Sequence, residues 1–183
     1  MANASVIAQA TGKPRELNQG GTSTSKTVFS VDGTTPIIAY LPNTGQLAGG
    51  ATTSGYSACF KVRAWGRVVT SGTLNFTVSL QYGTSLTASS NTDIEDSGAT
   101  SLASLTTNWA IEATLVWDND SQRINGNGWS QVHTTYDADT TIDNAITSAD
   151  PTGTTAVGFV VAGTFGTGAA GNACYLDGFQ IEY

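Results

Sequence analysis

From Lys26 onward, polar and apolar residues alternate with a period of two, and turn residues interrupt the alternation at short intervals. That is the signature of many short strands. Residues 27–31 form a first apolar run that stops at Asp32-Gly33, a strong turn dipeptide, and residues 36–41 form a second. Residues 41–55 carry Pro42 and four glycines and read as a long irregular loop. The first long strand covers 56–70, with Ala58, Phe60, Val62, Ala64 and Val68 on one face and Lys61, Arg63, Trp65 and Arg67 on the other. After Ser71-Gly72, Leu74, Phe76, Val78, Leu80 and Tyr82 alternate strictly with Asn75, Thr77, Ser79 and Gln81, as in a half-buried strand. The two make an antiparallel hairpin.

Further along, 86–98 is polar and acidic, 99–105 is a short strand and 108–118 a long one that gathers Trp109, Ile111, Ala113, Leu115 and Trp117 on one face. A turn at 118–121 leads into a returning strand over 122–135, where Gly126 and Gly128 predict a bulge. Residues 136–153 read as a second long loop, with a short helical turn over 141–149. Residues 156–165 are apolar on both faces, as a central strand is, and 172–183 form the closing strand. Eight to ten strands, almost no helix and no second composition regime predict one antiparallel β-sandwich over 26–183. Residues 1–25 have no stable period and read as an extended N-terminal arm. Such an arm either stays a loose leader or orders against a neighbouring subunit.

Composition narrows the function. At 183 residues the chain is long enough for a full core without staples. Only 11% of its residues are charged, against roughly 25% in ordinary globular proteins. Seven basic residues against fourteen acidic ones give a formal charge of -7, which repels a phosphate backbone. Nucleic acid is therefore not an expected partner, and the densest basic group, Lys61, Arg63 and Arg67, is too small to change that. No run of 18 apolar residues and no basic-apolar leader is present, so neither a membrane span nor an export signal is expected. Cys59 and Cys174 lie far apart on two predicted strands and are expected as two buried free thiols rather than a bridge.

Catalytic chemistry finds little to work with, and no enzyme is expected. The single histidine, His133, sits among Thr and Gln without a Gly-x-Ser-x-Gly elbow, and reads as a surface or edge-strand residue. One histidine and two distant cysteines exclude a zinc site of known spacing. Of the glutamates, Glu16 falls in the arm, Glu95 in a polar loop, Glu112 on an outward face and Glu182 on the last strand; Asp118 and Asp177 lie at strand ends. No pair stands out as an acid and base. Asp137, Asp139 and Asp143, and Asp118 with Asp120, are clustered but lack the glycine and terminal glutamate of a hand-type calcium loop. No metal or cofactor is expected. Trp65 and Trp129 are the two candidates for exposed aromatic platforms on which a sugar ring can stack, whereas Trp109 and Trp117 read as core.

The run Arg63-Ala64-Trp65-Gly66-Arg67-Val68-Val69, followed by Leu74 to Tyr82 and the Gly83-Thr84-Ser85 turn, resembles jelly-roll proteins of tailed-bacteriophage virions. Leu115-Val116-Trp117-Asp118 and the closing Tyr175-Leu176-Asp177-Gly178-Phe179-Gln180-Ile181-Glu182 fit the same pattern. The resemblance spans 26–183. It implies a jelly-roll sandwich and a virion role: a capsid decoration, or cement, protein made in the host cytoplasm. Such a protein sits on the outer head surface, contacts the major capsid protein and copies of itself, and is expected to form trimers. Lys61, Arg63, Trp65 and Arg67 on the strand face, with Lys13 and Arg15 in the arm, are the candidate partner-binding residues. The alternative is a carbohydrate-binding sandwich of a tail fibre or another receptor-binding module.

Overall fold

A computed structural model describes residues 6–10, 15–16, 24–40, 57–118, 123–138, 141–145 and 158–182. The early strands are β1 (Val6–Ala10), β2 (Arg15–Glu16), β3 (Thr27–Val28) and β4 (Ala39–Tyr40). β5 (Ser57–Val69) and β6 (Leu74–Tyr82) follow, not as the expected hairpin but in different sheets and unpaired with each other, and then the short β7 (Thr92–Asp96) and β8 (Thr100–Leu102). Next come β9 (Thr106–Asp118), β10 (Arg123–Val132), β11 (Thr135–Asp137), β12 (Ile142–Ala145), β13 (Gly158–Phe165) and β14 (Ala173–Glu182).

These strands form two antiparallel sheets. One runs β1-β14-β5-β9-β10-β11, with β12 on β10 and β2 on β14; the other runs β3-β13-β6-β7, with β4 on β13 and β8 on β6. Among the described strands the chain changes sheet six times, as it passes from β2 to β3, β4 to β5, β5 to β6, β8 to β9, β12 to β13 and β13 to β14. That interleaving is the jelly roll, two Greek keys wound together. β10, β11 and β12 widen the first sheet beyond the four-strand minimum.

The core lies between the sheets and follows the alternation of the long strands. Phe60, Val62, Ala64 and Val68 of β5 and Trp109, Ile111, Ala113, Leu115 and Trp117 of β9 are all buried. They meet the opposite sheet through aromatic contacts: Phe29 against Trp109 with centroids 6.0 Å apart, Phe60 against Phe159 at 5.8 Å and Tyr82 against Trp117 at 6.3 Å. Burial pushes the Tyr82 phenol up to about 12. β13 is buried on both faces because the segment after β6 folds over the outside of its sheet. There Leu86 and Ala88 pack on Val28, Val160 and Ala162. The same cover buries Ser79 and Gln81 of β6, which the alternation alone places in solvent; Gln81 Nε2 donates to Ala88 O at 3.2 Å and to Asp93 Oδ1 at 2.8 Å.

Several expectations are corrected. The acidic stretch after β6 is not all loop: 92–96 is a strand on β6, and Glu95 is buried rather than solvated, its carboxylate reaching to the backbone of Gly128. No bulge interrupts β10 at Gly126 or Gly128, since its register with β9 is unbroken from Arg123↔Asp118 to Val132↔Trp109. Instead of a helical turn, 142–145 is a strand on β10, and 135–137 pairs there too. His133 stands in the β10–β11 turn at φ 58°, not mid-strand. Cys174 is buried and free as expected, but Cys59 is exposed on the same face as Lys61. Within the stretch read as an arm, β1 and β2 pair with β14 of the same chain. Lys13 lies outside the described residues.

Two outcomes follow from this arrangement. Burial raises the Cys174 thiol and keeps it protonated, so Ellman titration of the native protein is expected to count one reactive thiol, Cys59, and the second only in denaturant. The turn after β3 is closed by Asp32, whose carboxylate accepts from Thr34 Oγ1 at 2.8 Å, Thr34 N at 2.9 Å and Thr35 N at 2.8 Å. These bonds lower its pKa from 3.8 to about 2. A lowered carboxyl stabilises the fold fully above the unfolded value and loses that contribution as pH falls through the folded one. Asp32→Ala is therefore expected to lower the thermal midpoint at pH 6, and its gap from wild type to close between about pH 4 and pH 2.

Candidate functional site

The outer face of the larger sheet carries most of the residues singled out in the sequence. Antiparallel pairing sets Gly178, Trp65, Ala110, Gln131 and Tyr136 in one row across β14, β5, β9, β10 and β11. The next row along holds Gln180, Arg63, Glu112 and Trp129, and the row on the other side Tyr175, Arg67 and Asn108. Side chains of one parity share a face, so these rows form a single surface.

The basic residues of β5 are engaged within the chain. Lys61 Nζ lies 3.1 Å from Glu112 Oε1 and Arg63 Nε 2.8 Å from Glu112 Oε2. Arg67 binds Asp177 through Nε to Oδ2 at 3.0 Å and Nη2 to Oδ1 at 3.3 Å, while its guanidinium carbon sits 5.1 Å from the centre of the Tyr175 ring. The hydrogen bonds and charge of Asp177 raise the Arg67 pKa further above its ordinary value. Ion pairs between partly exposed groups of this kind add little to stability. Their larger effect is to hold long side chains down along the sheet and to offset the charge of the strand face. Of the arm residues, Arg15 pairs through its backbone with Leu176.

Asp177 owes its position to a bulge. The β14–β5 register runs from Leu176↔Gly66 directly to Gly178↔Trp65, which leaves Asp177 as the extra residue. A bulge re-aims one side chain and sharpens the local twist. Two glycines make room for it. A Cβ on Gly66 would run into the carbonyl oxygen of Tyr175 and come within 2.8 Å of the Trp109 ring; a Cβ on Gly178 would run into the Trp65 ring. The Trp65 indole thus lies over bare backbone.

Beside it, the small side chain of Ala110 leaves a depression of about 620 Å³ lined by Trp65, Ala110, Asn108, Gln131, His133 and Asp177, among others. The lining combines one aromatic wall with amide, imidazole and carboxylate groups. Thr107 Oγ1 lies 3.0 Å from His133 Nδ1, and Gln131 Nε2 donates to His133 O at 3.1 Å. Trp129 stands one row away, half-buried and stacked on Tyr136 with centroids 6.1 Å apart and planes 22° from parallel.

Trp65 and Trp129 are therefore both on the open face, and Trp109 and Trp117 in the core. Among the described residues, no three His, Cys, Asp or Glu side chains come together as metal ligands. Asp143 instead pairs with Arg123, and Asp139 and Asp120 lie outside the described residues. The sequence reading passed over Ala110, Asn108, Gln131, Tyr136 and Tyr175. Cross-strand register was the missing signal for the first three. Tyr136 was hidden because its segment read as loop.

The site and fold can be set beside known proteins. No family model matches the chain, and no curated protein does. A solved structure similar to it is the CBM2 module of the evolved Dit of Lactobacillus casei BL23 phage J-1, at 8% identity and a TM-score of 0.33, covering 95% of this chain and 97% of that one. A superposition that loose transfers no residue and no activity.

The bulge yields a direct test of how the site is built. Gly66→Ala is expected to cost about 1–3 kcal/mol, because its new Cβ meets backbone that cannot move without breaking the β14–β5 register. Urea unfolding measures this, and a loss below about 0.5 kcal/mol would mean that the close approach is not rigid.

Proposed function

We propose that this jelly roll is a non-catalytic binding part of a phage particle, and that the outer face of its larger sheet holds a glycan. The observation that carries this reading is the depression at Trp65: an aromatic ring set over Gly178, flanked by Asn108, Gln131, His133 and Asp177. Sugars present an apolar face of C–H groups and a rim of hydroxyls, so they need an aromatic platform ringed by donors and acceptors. The face meets both requirements without an unusual charge. The virion assignment is supported by the strand pattern that resembles phage jelly rolls.

Decoration of a phage head, with the major capsid protein and further copies of this chain as partners, is the companion reading. It asks for a basic strand free to meet an acidic shell. Lys61, Arg63 and Arg67 are engaged by Glu112 and Asp177, which favours the glycan as ligand of this face.

A glycan array followed by calorimetric titration of the hits tests the proposal. Trp65→Ala is expected to weaken binding at least about tenfold, and Ala110→Arg, which fills the depression, to abolish it. Both variants should keep the wild-type circular dichroism spectrum. Tight binding to undecorated heads by a protein with no glycan hit would turn the assignment to decoration.

A further inference from the structure

We infer that the face has two aromatic subsites and that its ligand is a linear oligosaccharide that crosses the strands, rather than a single sugar; this rests on the glycan reading above. The second subsite is the Trp129–Tyr136 stack. Tyr136 is 62% exposed, on a three-residue edge strand whose residues all face solvent. It contributes no burial to the core. Its ring nonetheless lies nearly parallel to that of Trp129, which fixes a broad aromatic surface at the rim of the sheet.

Register relates this surface to Trp65. Trp65 opposes Ala110, which opposes Gln131, and Trp129 lies one same-face step from Gln131 on β10. Two strand spacings and one two-residue step separate the Trp65 and Trp129 backbones by roughly 12 Å. That is longer than one pyranose ring and within reach of a short chain of them. The ground between is low and polar: Ala110 has only a methyl group, and Glu112 is held by Lys61 and Arg63. Two platforms on one ligand act as linked sites, the second contact being made at millimolar effective concentration, so affinity should climb with chain length.

Calorimetric titration with cello-, malto- and N-acetylglucosamine oligomers of one to six units tests this on the full chain. In the series that binds, wild-type affinity is expected to rise about tenfold between one and four units. Tyr136→Ala, at an exposed position, should flatten that rise, and Trp129→Ala with Tyr136→Ala should remove it while leaving the affinity for the single sugar. Trp65→Ala should weaken every length alike. Equal affinity for one and six units, or a rise that survives the double substitution, overturns the two-subsite inference while a Trp65-dependent affinity leaves the glycan reading standing. No binding by any length of the three series, with an empty glycan array, overturns both.

Discussion

The pairing of β5 with β9 is the constraint on which the rest of the molecule depends. Thirteen residues on each strand meet in one unbroken register, from Ser57↔Asp118 to Val69↔Thr106. A slip of one residue would set the apolar face of one strand against the polar face of the other, so that either Phe60 and Val62 of β5 or Ile111 and Leu115 of β9 would turn to solvent and the charged or aromatic residues beside them into the core. Burial of the apolar set therefore locks the polar set in place. The ion pairs of Glu112 and the depression beside Trp65 are read off that parity, one face being the consequence of the other.

Where parity is broken, chemistry gathers. The bulge at Asp177 is the irregularity in the β14–β5 ladder, and it leaves a carboxylate beside Trp65 as an extra residue with no partner across the ladder. Gly66 and Gly178 flank it on opposite strands, each too close to its neighbour to carry a side chain. A regular sheet would have been simpler to fold. The two glycines and the extra residue give up side-chain packing there in exchange for a shaped surface.

The fold was legible wherever period two ran long. β5, β6, β9, β13 and β14 were each visible from alternation or from an apolar run bounded by turn residues, and the sandwich followed from them. β7 was hidden because it is written Thr92-Asp93-Ile94-Glu95-Asp96, with a single apolar residue, and its place is secured by β6 rather than by its own pattern. β11 and β12 are too short for a period to show, and the β10 glycines suggested a bulge that lies on another strand. Half of the candidate face was legible: Trp65, Arg63 and Arg67 by their parity on β5, and Trp129 by its neighbours. Gln131 and Ala110 join Trp65 only through pairing between distant strands, which a single sequence does not display. Cys59 was misplaced for a related reason. Its parity matches Lys61, not Phe60, and position on the strand outweighs the usual preference of cysteine for burial.

The strand that reads as most basic in the sequence thus becomes, in the fold, part of a surface whose charge is largely offset by paired carboxylates. Lys61 and Arg63 share Glu112, and Arg67 is matched by Asp177, on a chain whose total charge is -7. Long-range attraction to a polyanion has little to act on there, and rim charges already paired offer little steering toward an acidic partner. What the face retains is shape: a ring over bare backbone, a hollow over Ala110, a second pair of rings at the edge. On the proposed glycan reading, stacking and short hydrogen bonds are the interactions such a surface offers, and they suit a neutral, hydroxyl-rich ligand better than a charged one.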